Sequence, residues 1–262
     1  MPRLTLTALP VIALLMLPVA AQAAGATAAT DKTAVKAAEP TVPEVTPEKI
    51  KEEAFQRGKR AYDRGDWLKA ITDLRPLAEM NDVRAMVLLG NMYAEGNGVI
   101  QSNEEAFALY HKAALLENTD GMVAIAALYR QGMGVGINTR LAIGWFNRAA
   151  RLGDQQGAFF YGISIFEGSK GTTYDLKPDR KLAYKWFRIA ATHGDNKKMR
   201  FQAYKVAEII AKDLPPDQVI DLEKEVKDWA PDTLDVIGDN PEKILADEMA
   251  KKAADTPDKK TP

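Results

Sequence analysis

Cysteine is absent from the 262-residue sequence. Its absence excludes disulfides, thiolate metal sites and cysteine nucleophiles. Histidine occurs only twice, at His111 and His193, and neither has a second histidine three or four residues away that would complete a metal-binding pair on a helix. A lone histidine is weak evidence for a site, so we interpret both as structural or solvated. We therefore expect no bound metal and no cofactor.

Serine is also scarce, with three residues at Ser102, Ser164 and Ser169. None begins a Ser-x-x-Lys motif or stands in a Gly-x-Ser-x-Gly motif, so serine acyl transfer has no candidate nucleophile. The glycines of segment 132–136 do not complete a dinucleotide loop, because Ile137 stands where the third glycine belongs. We predict that the chain is not an enzyme, and the alternative is a hydrolase acting on cell-wall or β-lactam substrates.

Charge of one sign is not in excess, since the formal net charge is −1. Basic residues are spread along the chain and form no cluster that could follow a phosphate backbone. No global field draws the chain to nucleic acid or to an anionic membrane. We expect a protein or peptide partner and no nucleic acid.

The N-terminus has the pattern of a signal peptide. Arg3 precedes an apolar stretch over 4–19, and small residues at Ala21 and Ala23 provide a cleavage site. The stretch is short and interrupted by prolines, which disfavours a membrane-spanning helix. We predict a signal peptide over 1–23 with cleavage after Ala23. The mature chain is then expected to be periplasmic or secreted, without stable membrane insertion. The alternative is an uncleaved membrane anchor.

The segments at the two ends of the remaining chain are poor in large apolar groups. Residues 24–47 are rich in Ala, Thr, Val and Pro, which predicts a flexible linker. Residues 239–262 are rich in Lys, Asp and Pro, and we expect a largely disordered tail with room for one short helix around Pro241 to Lys252.

Between these ends the sequence repeats itself. Segment 88–99 is similar to segment 124–135, with Tyr93 and Tyr129 aligned 36 residues apart. A third copy begins near 161, and its second half is delayed by an insertion near Gly171 to Pro178. Self-similarity at this period indicates a solenoid of stacked helix pairs.

Small residues recur at fixed positions of both helices in each unit. Gly90, Ala126 and Gly162 stand on the first helix, and alanine pairs such as Ala149 and Ala150 stand on the second. Small residues that face one another permit close helix packing. The large apolar groups between repeats are expected from Leu109, Trp145 and Trp186.

The pattern of Leu-Gly, Tyr, Gly-x-Gly-Val, Trp-Phe and Ala-Ala resembles the Sel-one-like repeat (SLR) family over residues 84–196 in three copies. Residues 48–83 resemble a tetratricopeptide repeat, and residues 197–238 are expected to form capping helices. The resemblance implies an all-α, right-handed α/α superhelical solenoid that acts as an adaptor or regulator. Periplasmic members of the family include sensor-kinase inhibitors and envelope assembly factors. Some cysteine-rich relatives have been named β-lactamases, but this sequence has neither their cysteines nor a lactamase motif.

Alignment to tetratricopeptide geometry places certain first-helix residues on a concave protein-binding face. These are Phe55, Lys59, Tyr62, Val87, Asn91, Arg130, Phe159 and Phe166, with Val123 and Ile163 beside them. Two alternatives stay open. The C-terminal helices could cover Phe159, Ile163 and Phe166, and the chain could be a structural envelope protein that self-associates.

Overall fold

The structure is a computed structural model that describes residues 46–169, 176–234 and 240–254. These residues form α-helices joined by short loops, and a single isolated β-bridge links Ser169 to Leu176. The helices are α1 (Pro47–Asp63), α2 (Trp67–Glu79), α3 (Val83–Glu95), α4 (Asn103–Leu115), α5 (Thr119–Gln131), α6 (Thr139–Arg151), α7 (Gln155–Glu167), α8 (Arg180–Thr192), α9 (Lys197–Ala211), α10 (Pro216–Lys227) and α11 (Pro241–Ala254). The expected signal peptide and nearly all of the expected linker lie outside the described residues.

Local sequence signals set the helix ends. The side chain of Asp82 caps α3 by accepting from the amide of Ala85, and Asn118 caps α5 through the amide of Gly121. Gly96 and Gly132 end these two helices in the left-handed conformation, with φ of 76° and 73°. A β-carbon is disfavoured there, which explains the glycine at this place in both repeats.

Helices approach closely at small residues, both within a helix pair and between neighbouring pairs. A β-carbon added at Gly90 on α3 would lie 2.5 Å from the ring of Tyr110 on α4, and one added at Gly121 on α5 would lie 2.8 Å from Ala113 on α4. Close packing at the small residues is thus confirmed, but their pairing differs from the prediction: Gly90 faces the ring of Tyr110, and Ala113 faces Gly121 of the next helix pair. Trp145 and Phe146 are fully buried, and Trp186 is nearly so, as expected for the large groups between repeats.

The curvature follows from which helices meet. The first helices of neighbouring units contact one another, α1 with α3, α3 with α5, α5 with α7 and α7 with α9, whereas no pair of second helices makes a comparable contact in the described chain. The first helices therefore line the inner side of an all-α solenoid, here called the inner face, and α2, α4, α6 and α8 line the outer side. The predicted fold class is confirmed.

The C-terminal helices divide between the two sides of the solenoid. α9 continues the inner row of first helices, whereas α10 packs against α8 and α11 packs against α6 on the outer side. The Glu223 carboxylate on α10 accepts from Arg188 Nη2 at 2.8 Å and from the Tyr184 hydroxyl, both on α8.

The short helix expected around Pro241 to Lys252 is present in the tail as α11, over residues 241–254. Pro241 begins the helix, and the side chain of Asn240 accepts from the amide of Lys243 at 2.9 Å. Leu245 packs against the buried cluster around α5 and α6, so this helix is stabilised by tertiary contact as well as by its cap. No helix in the described ranges is long and apolar enough to cross a membrane.

Candidate functional site

Phe55 is a correction to the expected binding face. Its side chain is only 6% exposed, and the guanidinium carbon of Arg84 lies 3.9 Å from the centre of its ring. Arg84 is held there by ion pairs to Asp82 and Glu52 at 2.9 and 2.7 Å. A partner cannot reach Phe55 without displacing Arg84. Val123 is likewise buried.

Lys59 and Tyr62 lie on α1 and are half-buried. Lys59 pairs with Asp63 at 2.7 Å, one helical turn away. The ring of Tyr62 meets the edge of Trp67, with ring centres 5.6 Å apart. Trp67 belongs to the next helix, so it fixes the orientation of Tyr62 beside the inner face.

Asn91 and Val87 lie on the inner face in the second unit. The Asn91 Oδ1 atom accepts a hydrogen bond from the Tyr110 hydroxyl at 2.6 Å. Burial raises the pKa of Tyr110, so the hydroxyl stays protonated and remains a donor. The amide nitrogen of Asn91 has no partner among the described residues and is available to a peptide carbonyl. Val87 is half-buried and packs against the neighbouring core.

Arg130 is the exposed cation of the inner face. Its guanidinium carbon lies 5.6 Å from the ring centre of Phe146 and 5.4 Å from that of Phe160, within reach of a cation–π contact. No carboxylate pairs with Arg130 in the part of the chain that the structure describes. The charge is thus positioned by aromatic rings and left open to an anionic group.

The fourth unit contributes an aromatic cluster. Phe159 meets Phe160 and Phe187 edge-on, with ring centres 5.6 Å apart in each pair. Phe159 and Ile163 are partly buried against the core, whereas Phe166 remains 39% exposed. The main contacts of α10 and α11 are to α8 and α6, so these two helices do not cover the aromatic cluster. α9 is the C-terminal helix that lies next to α7.

Two features of the surface were missed in the sequence. Phe201 and Tyr204 on α9 extend the row of first helices and are 64% and 42% exposed. The Tyr204 ring lies 5.4 Å from the guanidinium carbon of Arg188. The aromatic residues of segment 197–211 were visible, but their exposure depends on the absence of a following unit. The other feature is the contact of His111 with Glu242, separated by 131 residues, for which the sequence carries no local signal.

Within the described residues no group of three metal-ligating side chains converges. The arrangement on the inner face offers an arginine, an amide and aromatic edges, which suit non-covalent recognition of a peptide.

A family comparison identifies the repeats. The model of the Sel1 repeat matches residues 83–118, 119–154 and 156–195. The resemblance to the Sel-one-like repeat family is therefore confirmed, and the chain carries three Sel1 repeats. Such repeats typically form non-catalytic modules for protein–protein interaction. No curated protein sequence matches the chain significantly.

Solved structures share the fold. A Sel1 repeat protein from Oxalobacter formigenes is 25% identical, with a TM-score of 0.50, and the match covers 58% of this chain and 56% of that one. The protein c5321, a protective antigen of uropathogenic Escherichia coli with an SLR fold, is 18% identical with a TM-score of 0.54. That match covers 70% of this chain and 42% of the antigen. The chain thus spans less than two thirds of either structure.

Proposed function

We propose that this Sel1-repeat solenoid is an exported, non-catalytic protein that binds a partner protein or an extended peptide on its inner face. The observation that carries the proposal is Arg130, an exposed guanidinium held over Phe146 and Phe160 with no carboxylate beside it in the described chain. A carboxylate of the partner, from a side chain or a peptide terminus, supplies the missing anion.

The residues around Arg130 define the rest of the ligand. The free amide nitrogen of Asn91 donates to a backbone carbonyl, and the exposed edge of Phe166 accepts an apolar side chain. Tyr62 offers an aromatic edge at the far end of the inner face. Because these groups belong to successive first helices, an extended segment that runs across the helices meets them in turn.

The setting that we propose is the cell envelope. The signal-peptide pattern of residues 1–23 supports export to the periplasm or the medium, with cleavage after Ala23. In that compartment the protein acts as an adaptor or regulator, for example of a sensor kinase or of envelope assembly. N-terminal sequencing of the protein purified from the periplasmic fraction tests export, and an intact Met1 on a cytosolic product contradicts it.

Site-specific photo-crosslinking tests the binding face. A benzophenone amino acid at Phe166 should capture a discrete partner from envelope extract, and Arg130→Ala in the same chain should reduce that adduct. The control position is Leu68, which is 78% exposed on the second helix α2 and belongs to the outer side. An adduct of equal yield at Leu68, or one insensitive to Arg130→Ala, contradicts the assignment.

A further inference from the structure

The tail helix α11 meets the repeats at a cluster of side chains on α4, α5 and α6. Glu242, in the first turn of α11, accepts a hydrogen bond from the Tyr129 hydroxyl at 2.7 Å. Its other oxygen lies 2.6 Å from His111 Nε2. His111 belongs to α4 and Tyr129 to α5, so one carboxylate joins two repeats.

The fully buried indole of Trp145 on α6 lies near Glu242, but its Nε1 atom has no hydrogen-bond partner among the described residues. Burial alone would raise the pKa of the Glu242 carboxyl, but the hydrogen bonds with His111 and Tyr129 outweigh it and hold the pKa below its usual value. Two partners from two helices thus favour an ionised carboxylate at this point.

Other residues of α11 near Glu242 also contact the repeats. A β-carbon at Gly144 would come within 2.8 Å of the Pro241 ring, so glycine is needed for the proline to lie on α6. Leu245 packs against the buried cluster of α5 and α6, and Glu248 pairs with Arg140. Leu245 and Glu248 follow Pro241 at four and seven positions, which places all three on one face of the helix. We call the residues that receive Glu242 and this face the tail site: His111, Tyr129, Arg140, Gly144 and Trp145.

Two large apolar side chains of α11 lie partly in solvent. Ile244 is 45% exposed and Met249 is 65% exposed. The helix packs mainly along α6, and Glu242 adds polar contacts to α4 and α5. A terminal helix that packs mainly against one neighbour opens at a lower free energy than the repeats to which it is bound.

We propose that the tail site is a recognition site for a helical segment of the pattern Pro-Glu-x-x-Leu-x-x-Glu, and that the tail of a second copy of this chain fills it when the chain's own tail leaves. The site lies entirely on α4, α5 and α6, so it is complete without the tail to which it is covalently joined. Every copy carries both the site and the segment, so exchange between copies repeats the same contacts in a closed pair. This surface is separate from the inner face.

A labelled peptide of residues 240–254 tests recognition in the full chain. Wild-type chain should bind it weakly, because its own tail occupies the site. The full-length Glu242→Gln variant weakens that internal contact and should bind the wild-type peptide at least about tenfold more tightly, as expected for loss of charge-assisted hydrogen bonds on the competitor alone. Adding Tyr129→Phe to this variant removes a hydrogen-bond donor from the tail site and should reduce the increase in affinity for the peptide.

The matched control is Asp247→Asn, one residue from Glu248 on the exposed part of α11. In the peptide, Glu242→Gln should abolish measurable binding, whereas Asp247→Asn should leave it within about twofold. The proposed recognition at the tail site is overturned if the two substitutions in the peptide have equal effects, or if the wild-type peptide does not bind the Glu242→Gln chain.

Light scattering over a concentration series tests exchange between copies. The wild-type chain should form dimers as its concentration rises, and the Asp247→Asn chain should do the same. A mixture of Glu242→Gln and Tyr129→Phe chains should form more dimer than either chain alone, because exchange restores one intact contact between Glu242 and Tyr129 that neither monomer has. A wild-type chain that stays monomeric throughout, or a mixture that forms no more dimer than its components, overturns the exchange.

Discussion

The hydroxyl of Tyr110 on α4 donates a hydrogen bond to Asn91 Oδ1 on α3 at 2.6 Å. The same tyrosine ring packs against Gly90, where an added β-carbon would lie 2.5 Å away. A single side chain of the second helix therefore sets the spacing of the helix pair and orients an amide on the inner face. The packing of the helix pair and the orientation of the candidate binding residue Asn91 thus depend on the same side chain, Tyr110.

Tyr110→Phe should remove the hydrogen bond and keep the ring packing. We expect the free energy of unfolding to fall by about 1 kcal/mol, because the partly buried Asn91 carbonyl loses its donor. Urea unfolding followed by circular dichroism measures the change. A loss several times larger contradicts the view that the ring, and not the hydroxyl, maintains the helix spacing.

Trp145→Ala should be among the most destabilising single substitutions. The side chain is fully buried between repeats, so its removal leaves a large cavity and should cost about 3–5 kcal/mol. Leu68→Ala is the control, since Leu68 is 78% exposed and should change stability by less than about 0.5 kcal/mol. Comparable losses in urea unfolding of the two variants contradict the packing assignment.

Acid should loosen α10 before it unfolds the repeats. The hydrogen bond from Arg188 holds the pKa of Glu223 below its usual value; burial opposes this and Tyr184 adds to it. A carboxyl with a lowered folded-state pKa stabilises the protein above its unfolded-state pKa of about 4.3, and this contribution is lost as the pH falls through the folded-state value. Hydrogen exchange of α10 amides, measured from pH 6 downwards, should show protection lost in that window.

Glu223→Gln is the matching variant for the acid effect. It should lower α10 protection at neutral pH and remove much of the further loss in acid, because the glutamine does not titrate. Lys185 and Glu225 form a second contact between α8 and α10 at 2.7 Å, so the helix should stay attached in part. Unchanged pH dependence in Glu223→Gln would assign the effect to another carboxyl.

The sequence was sufficient for the fold because the repeat carries its own signals. Residues with a structural role recur at the same position of each repeat: the small residues Gly90 and Gly162, the turn glycines Gly96 and Gly132, and the buried Trp145. Each makes its contacts within one helix pair or with the neighbouring pair. The site was harder to predict, because exposure depends on side chains from other helices. Phe55 occupies a first-helix position typical of the inner face, but Arg84 from the next unit covers it.

The tail shows the same limit over a longer distance. Residues 239–262 have the composition of a disordered segment, and tertiary contacts such as those of Glu242 with His111 and Tyr129 explain why α11 is attached. Those partners are more than 100 residues away, so no local pattern could indicate them.

The final prediction concerns partner capture by Arg130 and Tyr62. The double variant Tyr62→Ala with Arg130→Ala should weaken capture of the crosslinked partner at least about tenfold, because it removes an unpaired cation and an aromatic edge from the inner face. The melting temperature should change little for the Arg130 substitution, since that side chain is exposed and forms no ion pair in the described chain. The matched control is Arg75→Ala, because Arg75 is an exposed arginine on the second helix α2. This substitution should leave both partner capture and the melting temperature unchanged. Normal capture by the double variant shows that these two residues are not part of the interface, and an outright loss of folding assigns them to the scaffold. Capture lost equally in Arg75→Ala reflects general charge attraction, which contradicts a directed contact at Arg130.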